Sequence, residues 1–201
     1  MPEVPVSRYG RAKLAAERAA REHSGTVPIT VVRPPMVFGE HDRGSLPLFR
    51  AASKGFSVSP TRDPFEVCAV HARDLAVALV SAIESGERIG ETPGSGIYYA
   101  PGTGRMDLAD FGHAIGAALD RSVISLRMPK AVTWVVSGLA ELRGRILDQT
   151  SLLSLDKYRE ATGGAWVCSG EKLRRQLDWR PADFDRRLSE TVIWYREQGW
   201  L

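Results

Sequence analysis

A tyrosine and a lysine four residues apart, Tyr9 and Lys13, are the side chains in this sequence best suited to chemistry. Four-residue spacing on an α-helix places both on one face, one turn apart. The ammonium would favour the charged form of the phenol, which could then pass a proton to or from a substrate oxygen. The pair alone is a weak motif, because a surface tyrosine packed on a lysine stem has the same spacing. The segments that follow the pair therefore decide its interpretation.

The elements around the pair alternate between helical and extended patterns. The alanine-rich segment 9–23 predicts a helix, and the β-branched run 29–32 predicts a strand that Pro34 and Pro35 stop. Further helices are expected at 46–54, 74–85, 107–119 and 129–146, and further strands at 56–58, 65–70, 97–100 and 123–126. Strands alternating with helices indicate an α/β protein.

The composition indicates a soluble globular protein. The 201 residues are 43% hydrophobic and 25% charged, and a net charge of +3 with a pI of 9.0 arises from scattered arginines. Without a clustered basic face, nucleic-acid binding is not expected. No apolar stretch approaches the ~20 residues of a membrane span, and no signal-peptide pattern opens the chain, so the cytoplasm is the expected location.

Cysteines and histidines do not form a metal-ligand pattern. Cys68 and Cys168 are far apart in the sequence, and Cys68 lies in an apolar run typical of a small buried residue. The four histidines are widely separated, so no metal site is predicted. The C-terminal aromatic residues are expected to be packing anchors; they are Trp194, Tyr195 and Trp200.

Four motifs occur in an order that resembles the extended short-chain dehydrogenase/reductase family, also called the NAD-dependent epimerase/dehydratase family. They are Tyr-x-x-x-Lys at 9–13, Arg-Pro-Pro at 33–35, Val-His-x-x-Asp at 70–74, and the C-terminal segments 177–181 and 194–201. The resemblance covers nearly the whole chain. It implies that residues 1–40 and 71–105 form the end of a Rossmann-type parallel sheet. Residues 41–70 and 106–201 would form a smaller α/β substrate-binding region.

The resemblance also implies roles for individual residues. Tyr9 would be the catalytic acid/base, and Lys13 would support it and hold the nicotinamide ribose of NAD or NADP. The strand-end segment would pass beside the nicotinamide; its cofactor-binding candidates are Arg33, Pro34, Pro35 and Met36. Met36 and His41 are the candidates for contact with a small-molecule substrate. His71 and Asp74 are expected to be structural, with Asp74 capping the helix that follows.

One departure from the family pattern bears on the substrate. Nucleotide-sugar members place an asparagine where this chain has Met36, which favours the branch resembling dihydroflavonol reductases and 3β-hydroxysteroid dehydrogenases. An apolar ketone or alcohol is therefore an alternative to a nucleotide sugar. The apolar segment 131–139 would suit a substrate cleft or a membrane surface, although an ordinary core helix is the favoured interpretation.

The glycine-rich turn that holds a dinucleotide pyrophosphate has no counterpart in this sequence. The glycine pairs at 94–96 and 102–104 are predicted to be loops, and Ser7 lies too close to Tyr9 to be the family's catalytic serine. The resemblance is thus to the C-terminal portion of such an enzyme, and this chain alone is expected to be inactive. The alternative is a non-catalytic relative that binds a ligand or a partner. A homodimer through the Tyr9–Lys13 helix is a further hypothesis.

Overall fold

The computed structural model describes residues 4–146 and 154–201. The helices are α1 (Arg8–Glu22), α2 (Leu46–Ser53), α3 (Ala72–Ser85), α4 (Leu108–Ala118), α5 (Lys130–Ile146), α6 (Leu155–Thr162), α7 (Glu171–Leu177) and α8 (Phe184–Glu197). The strands are β1 (Val31–Arg33), β2 (Met36–Phe38), β3 (Phe56–Ser59), β4 (Glu66–Val67), β5 (Ala69–His71), β6 (Ile97–Tyr99), β7 (Met106–Asp107) and β8 (Ile124–Arg127). The predicted α/β class is confirmed.

The strands form pairs, and most of these pairs are parallel. β1 runs parallel to β6 with Val31 opposite Ile97, as expected for neighbouring strands of a Rossmann-type sheet. β2 pairs in parallel with β5, and β3 with β8, whereas β4 and β7 are antiparallel. Parallel neighbours need long crossover connections, which the intervening helices supply.

The buried apolar side chains form two clusters. The first joins β2, α2, α4 and α8 around residues such as Phe38, Phe49 and Tyr195. The second joins β5, β6, α3 and α7 around Tyr98 and Leu173. Tyr195 is fully buried, with Trp194 and Trp200 packed beside it, so the predicted role of these aromatic residues is confirmed. The division of the chain into two regions stays a prediction.

The segment 131–139 does not lie in a core, so the favoured interpretation of that segment was wrong. It belongs to α5, where Val135, Leu139 and other large apolar side chains between 132 and 142 are exposed. Periodic apolar residues predict a helix with one apolar face, but they do not say whether protein covers that face. None of the helices in residues 4–146 and 154–201 combines the length and hydropathy needed to span a bilayer.

The start of α3 is structural, but the capping residue is His71, and the prediction that Asp74 caps the helix was wrong. The Nδ1 atom of His71 accepts a hydrogen bond from Arg73 N at 3.2 Å. Asp74 instead binds the guanidinium of Arg187 on α8 through both carboxylate oxygens, and its backbone carbonyl accepts from the Trp179 indole at 3.0 Å. The negative charge of this carboxylate in the first turn also interacts favourably with the helix dipole.

The Asp74–Arg187 pair generates a stability prediction, because only 7% and 14% of the two side chains are exposed. Arg187→Met leaves a buried carboxylate unpaired, which should lower the free energy of unfolding by about 3–5 kcal/mol. Arg186→Met is the matched control, since Arg186 is exposed and pairs only at the surface with Glu190, and it should cost at most about 1 kcal/mol. Urea unfolding measures both, and equal midpoints for the two variants would contradict the prediction.

Candidate functional site

Tyr9 and Lys13 lie on the first two turns of α1, and both side chains are exposed, Tyr9 to 57%. The helix begins where Ser7 caps it: the Ser7 hydroxyl accepts a hydrogen bond from Gly10 N at 2.9 Å. The same hydroxyl donates to Glu160 Oε1 at 2.7 Å, and Ser7 is buried by this contact. The structure therefore gives Ser7 a capping role.

Helix α6 is bound to the start of α1 by polar contacts. The Asp156 carboxylate accepts hydrogen bonds from Arg8 N at 2.9 Å and Tyr9 N at 3.3 Å. The hydrogen bond from Arg8 N is the main cause that lowers the pKa of Asp156. Lys157 places its ammonium 5.4 Å from the centre of the Tyr9 ring and also binds Glu160.

Sequence reasoning missed these α6 residues. They lie about 150 positions from α1, and no local spacing joins them to Tyr9. The only signal was Ser7 itself, since a serine before a helix is a common cap. The cap identifies neither Glu160 nor Asp156 as a partner.

A second contact fixes α1 against β1 and β6. Glu17 lies one turn beyond Lys13, so Tyr9, Lys13 and Glu17 share one stripe of the helix. Its carboxylate accepts from Arg33 Nε at 2.9 Å and from a terminal Arg33 nitrogen at 2.8 Å, and Arg21 adds a further ion pair. Burial alone would raise the pKa of Glu17, but the hydrogen bonds from Arg33 and Arg21 outweigh it and lower the value.

The Arg33 side chain is hydrogen-bonded to other groups of the protein. Besides Glu17, the guanidinium donates to Tyr99 Oη at 2.8 Å and lies 5.7 Å from the centre of that ring. The Arg33 carbonyl accepts from Ala100 N at 3.4 Å. The structure thus gives Arg33 the task of joining α1 to the ends of two parallel strands, next to the stripe that bears Lys13.

The rest of the strand-end segment turns from the sheet into the first core cluster. Pro34 is exposed, Pro35 is half-buried, and Met36 opens β2 and packs against that cluster. Rigid prolines hold the path of the chain here. Cofactor binding by Arg33, Pro34, Pro35 and Met36 stays a prediction, as does substrate contact by Met36.

His41 lies in the loop after β2. Its backbone has a φ of +63°, and its exposed ring lies 4.4 Å from the ring of Trp194 on α8. The following residue, Asp42, closes the loop by accepting from Gly44 N and Ser45 N. The structure therefore places His41 against α8, and its contact with substrate stays a prediction.

The remaining motif residues lie in loops or in the core. The glycines at 94 and 96 precede β6, and those at 102 and 104 precede β7, so the predicted loops are confirmed. Cys68 is a free, buried thiol, as expected. Across the residues that the structure describes, no three His, Cys, Asp or Glu side chains cluster to hold a metal ion. An open cavity of about 560 Å³ lies at Gly55 and 119–122, on elements other than α1 and β1.

Comparison with known proteins shows the family of the chain. The family model described as the RmlD substrate binding domain matches residues 2–160. A ceramide reductase from Caulobacter vibrioides is 25% identical over 199 residues, which are 99% of this chain and 60% of that protein. The chain therefore spans less than two thirds of this curated relative.

Solved structures share the fold. A nucleoside-diphosphate-sugar epimerase from Pseudomonas aeruginosa matches with a TM-score of 0.70 and 23% identity, over 97% of this chain and 57% of that one. A dTDP-glucose 4,6-dehydratase from Bacillus anthracis, solved with NAD, matches with a TM-score of 0.67 and 18% identity, over 99% of this chain and 55% of that one. Because the family model covers well over half of the sequence, the chain belongs to the RmlD substrate-binding domain family, an enzyme family of the short-chain dehydrogenase/reductase (epimerase/dehydratase) superfamily.

Proposed function

We propose that this chain supplies the catalytic pair and the substrate-binding part of an NAD(P)-dependent oxidoreductase or epimerase. The reaction would take place at a carbonyl or a secondary alcohol. The observation that carries the proposal is the exposed Tyr9–Lys13 stripe, which Glu17 and Arg33 fix beside the ends of two parallel strands. Ligands of open α/β sheets bind at the carboxyl ends of the strands.

In this proposal the Tyr9 hydroxyl exchanges a proton with the substrate oxygen, while a bound nicotinamide accepts or supplies hydride. Lys13, one turn away and exposed, favours the phenolate by its charge and reaches the ribose hydroxyls of the cofactor. Glu17 acts only by position, because its carboxylate is bound to Arg33 and Arg21. Arg33 likewise positions the helix, and the neighbouring backbone of 34–36 contacts the cofactor.

Two substrate classes fit different observations. Met36 brings a thioether where nucleotide-sugar enzymes of the wider family use an amide, and the relative from Caulobacter is a ceramide reductase, so an apolar alcohol or ketone is the favoured class. The structural likeness to a nucleoside-diphosphate-sugar epimerase supports a nucleotide sugar as the second class. Turnover of a long-chain ketone but not of nucleotide sugars would distinguish the two.

A non-catalytic role is the competing proposal, and cofactor binding gives its first test. The 201-residue chain offers Lys13 and the 34–36 backbone for the ribose and ring, but no glycine-rich turn for the pyrophosphate. We therefore expect calorimetry with NAD and NADP to detect little binding to this chain alone. Tight stoichiometric binding would show that the nucleotide site lies elsewhere on these residues.

The catalytic assignment predicts that substitutions of Tyr9 and Lys13 lower kcat and cofactor affinity to different extents. The protein to test is a polypeptide that joins residues 1–201 to a nucleotide-binding portion, whether encoded in frame or supplied by fusion. Tyr9→Phe should lower kcat about 10²–10⁴-fold with cofactor affinity nearly intact, because the phenol touches the reacting oxygen. Lys13→Met should lower both kcat and cofactor affinity. Steady-state kinetics and cofactor titration measure these effects.

Tyr158→Phe and Lys54→Met are the controls for that experiment, since they remove the same groups from α6 and from the end of α2. Both should retain activity. If Tyr9→Phe and Lys13→Met caused only small and equal losses, the pair would be a surface contact and the enzyme proposal would fall.

Glu17 predicts a positioning effect. Glu17→Gln weakens the bidentate contact with Arg33, so α1 loses its fixed angle to β1, and kcat should fall roughly 10- to 100-fold with little change in KM. Glu22→Gln, on an exposed part of the same helix, should leave both constants unchanged. A loss of stability without a separate loss of kcat would indicate that Glu17 serves the fold alone.

A further inference from the structure

The two cysteines of the 201-residue chain come together in the fold, although 100 positions separate them. Cys68 lies at the junction of β4 and β5, and Cys168 lies in the segment 163–170, the connector between α6 and α7. The Cys68 thiol donates to the main-chain oxygen of Cys168, and its Sγ atom is 3.8 Å from that oxygen. The side chain of one cysteine thus contacts the backbone of the other.

Main-chain hydrogen bonds align the two segments just before the cysteines. Trp166 N donates to Glu66 O at 2.7 Å, and Cys68 N donates to Trp166 O at 2.9 Å. These bonds form a parallel bridge between Val67 and Trp166. Cys68 follows the bridge by one residue and Cys168 by two, in the same chain direction.

This alignment places the two cysteines at a separation that suits a disulfide. Neighbouring extended segments lie about 4.8 Å apart and rise about 3.3 Å per residue, so Cα atoms one step out of register are about 6 Å apart. A disulfide joins Cα atoms that are about 4.4–6.8 Å apart. The contact between Cys68 Sγ and the Cys168 main chain shows that the segments are still adjacent at this point.

The two thiols differ in their access to solvent. Only 2% of Cys68 is exposed, whereas Cys168 is half-buried. Burial raises the pKa of Cys168 to about 11, and the nearby Cys68 thiol adds to this effect. A soluble oxidant therefore reaches Cys168 first, and the low thiolate population makes its reaction slow at neutral pH.

We propose that Cys68 and Cys168 form a redox-sensitive pair, which a peroxide converts into a disulfide between the β4–β5 junction and the α6–α7 connector. The Cys168 sulfur attacks one oxygen of hydrogen peroxide, the O–O bond breaks, and a sulfenic acid and one water result. The Cys68 sulfur then attacks the Cys168 sulfur. The S–S bond forms, the S–O bond breaks, and the second water leaves with the Cys68 proton. The two sulfurs together lose two electrons, which reduce the peroxide to water.

The disulfide would restrain the connector that supports α6. Trp166 Nε1 donates to the carbonyl of Glu160 on α6 at 3.0 Å, and Glu160 Oε1 accepts from Ser7 at the start of α1. Cys168 lies two residues beyond Trp166, so a covalent bond to Cys68 holds the same connector in place. Oxidation would therefore stabilise the contact between α6 and α1. The proposal does not depend on the proposed enzymatic reaction.

Treatment of the folded 201-residue chain with hydrogen peroxide tests the proposal. Peptide mapping by mass spectrometry without reductant should show the peptides of Cys68 and Cys168 joined within one chain, and dithiothreitol should separate them. The oxidised chain should unfold at a temperature roughly 5–10 °C higher than the reduced chain, because the bond closes a long loop. The amide of Trp166 should exchange its hydrogen at least about tenfold more slowly.

Cys68→Ala and Cys168→Ala are the matched controls, with circular dichroism showing that each is folded. Both should form no bond within the chain and gain no thermal stability from peroxide. They keep all four methionines, so they also show what methionine oxidation does to stability. The proposal is overturned if both thiols stay free, if disulfides form only between chains, or if Cys168 becomes a sulfinic acid without a link. A link that forms only in urea would overturn it too, since the folded chain would not bring the sulfurs together.

Discussion

The bidentate contact between Glu17 and Arg33 is the constraint on which the candidate site depends. No side chain of α1 is fully buried, so hydrophobic burial supplies little of what holds this helix in place. Polar contacts do so instead: Asp156 and Glu160 at its start, and Arg33 at its middle. A planar guanidinium that binds a carboxylate through two nitrogens fixes angle as well as distance. The stripe that bears Tyr9 and Lys13 therefore inherits its orientation from an ion pair that takes no part in the proposed chemistry.

Local patterns predicted the elements better than the contacts between them. Spacing placed Tyr9 and Lys13 on one helix face, and the extended segments 29–32 and 97–100 located β1 and β6, which pair in parallel. The short strand β2, which pairs in parallel with β5, was not predicted. The α6 residues around Tyr9 could not be predicted, because contact across about 150 positions has no local signal. Asp74 shows a second limit. A carboxylate near a helix start fits both a cap and an ion pair, and only the position of Arg187 on α8 distinguishes them.

A third property that periodicity does not predict is which face of an amphipathic helix packs against the protein. The apolar stripe of α5 fits a core or a surface equally well. What decides the matter is whether the opposite, polar stripe has partners, and Thr133 and Glu141 have them in Pro60 and in the start of α6. These partners come from a loop and from another helix. The orientation of α5 thus follows from tertiary hydrogen bonds, and the exposed valines and leucines follow from it in turn.

The histidine that caps α3 makes the stability of the folded chain depend on pH in the acid range. His71 Nδ1 accepts the Arg73 N–H, so the neutral ring carries its proton on Nε2, which lies 3.2 Å from Glu40 without the alignment of a good hydrogen bond. Burial lowers the pKa of His71, with Glu40 opposing and Arg187 reinforcing that effect. The unfolded chain therefore protonates His71 more readily than the folded chain does. The free energy of unfolding consequently decreases as the pH falls below the ordinary pKa of histidine. Protonation of Nδ1 would remove the acceptor that begins α3, the helix that also carries Asp74. One imidazole thereby makes the junction between α3 and α8 sensitive to protons.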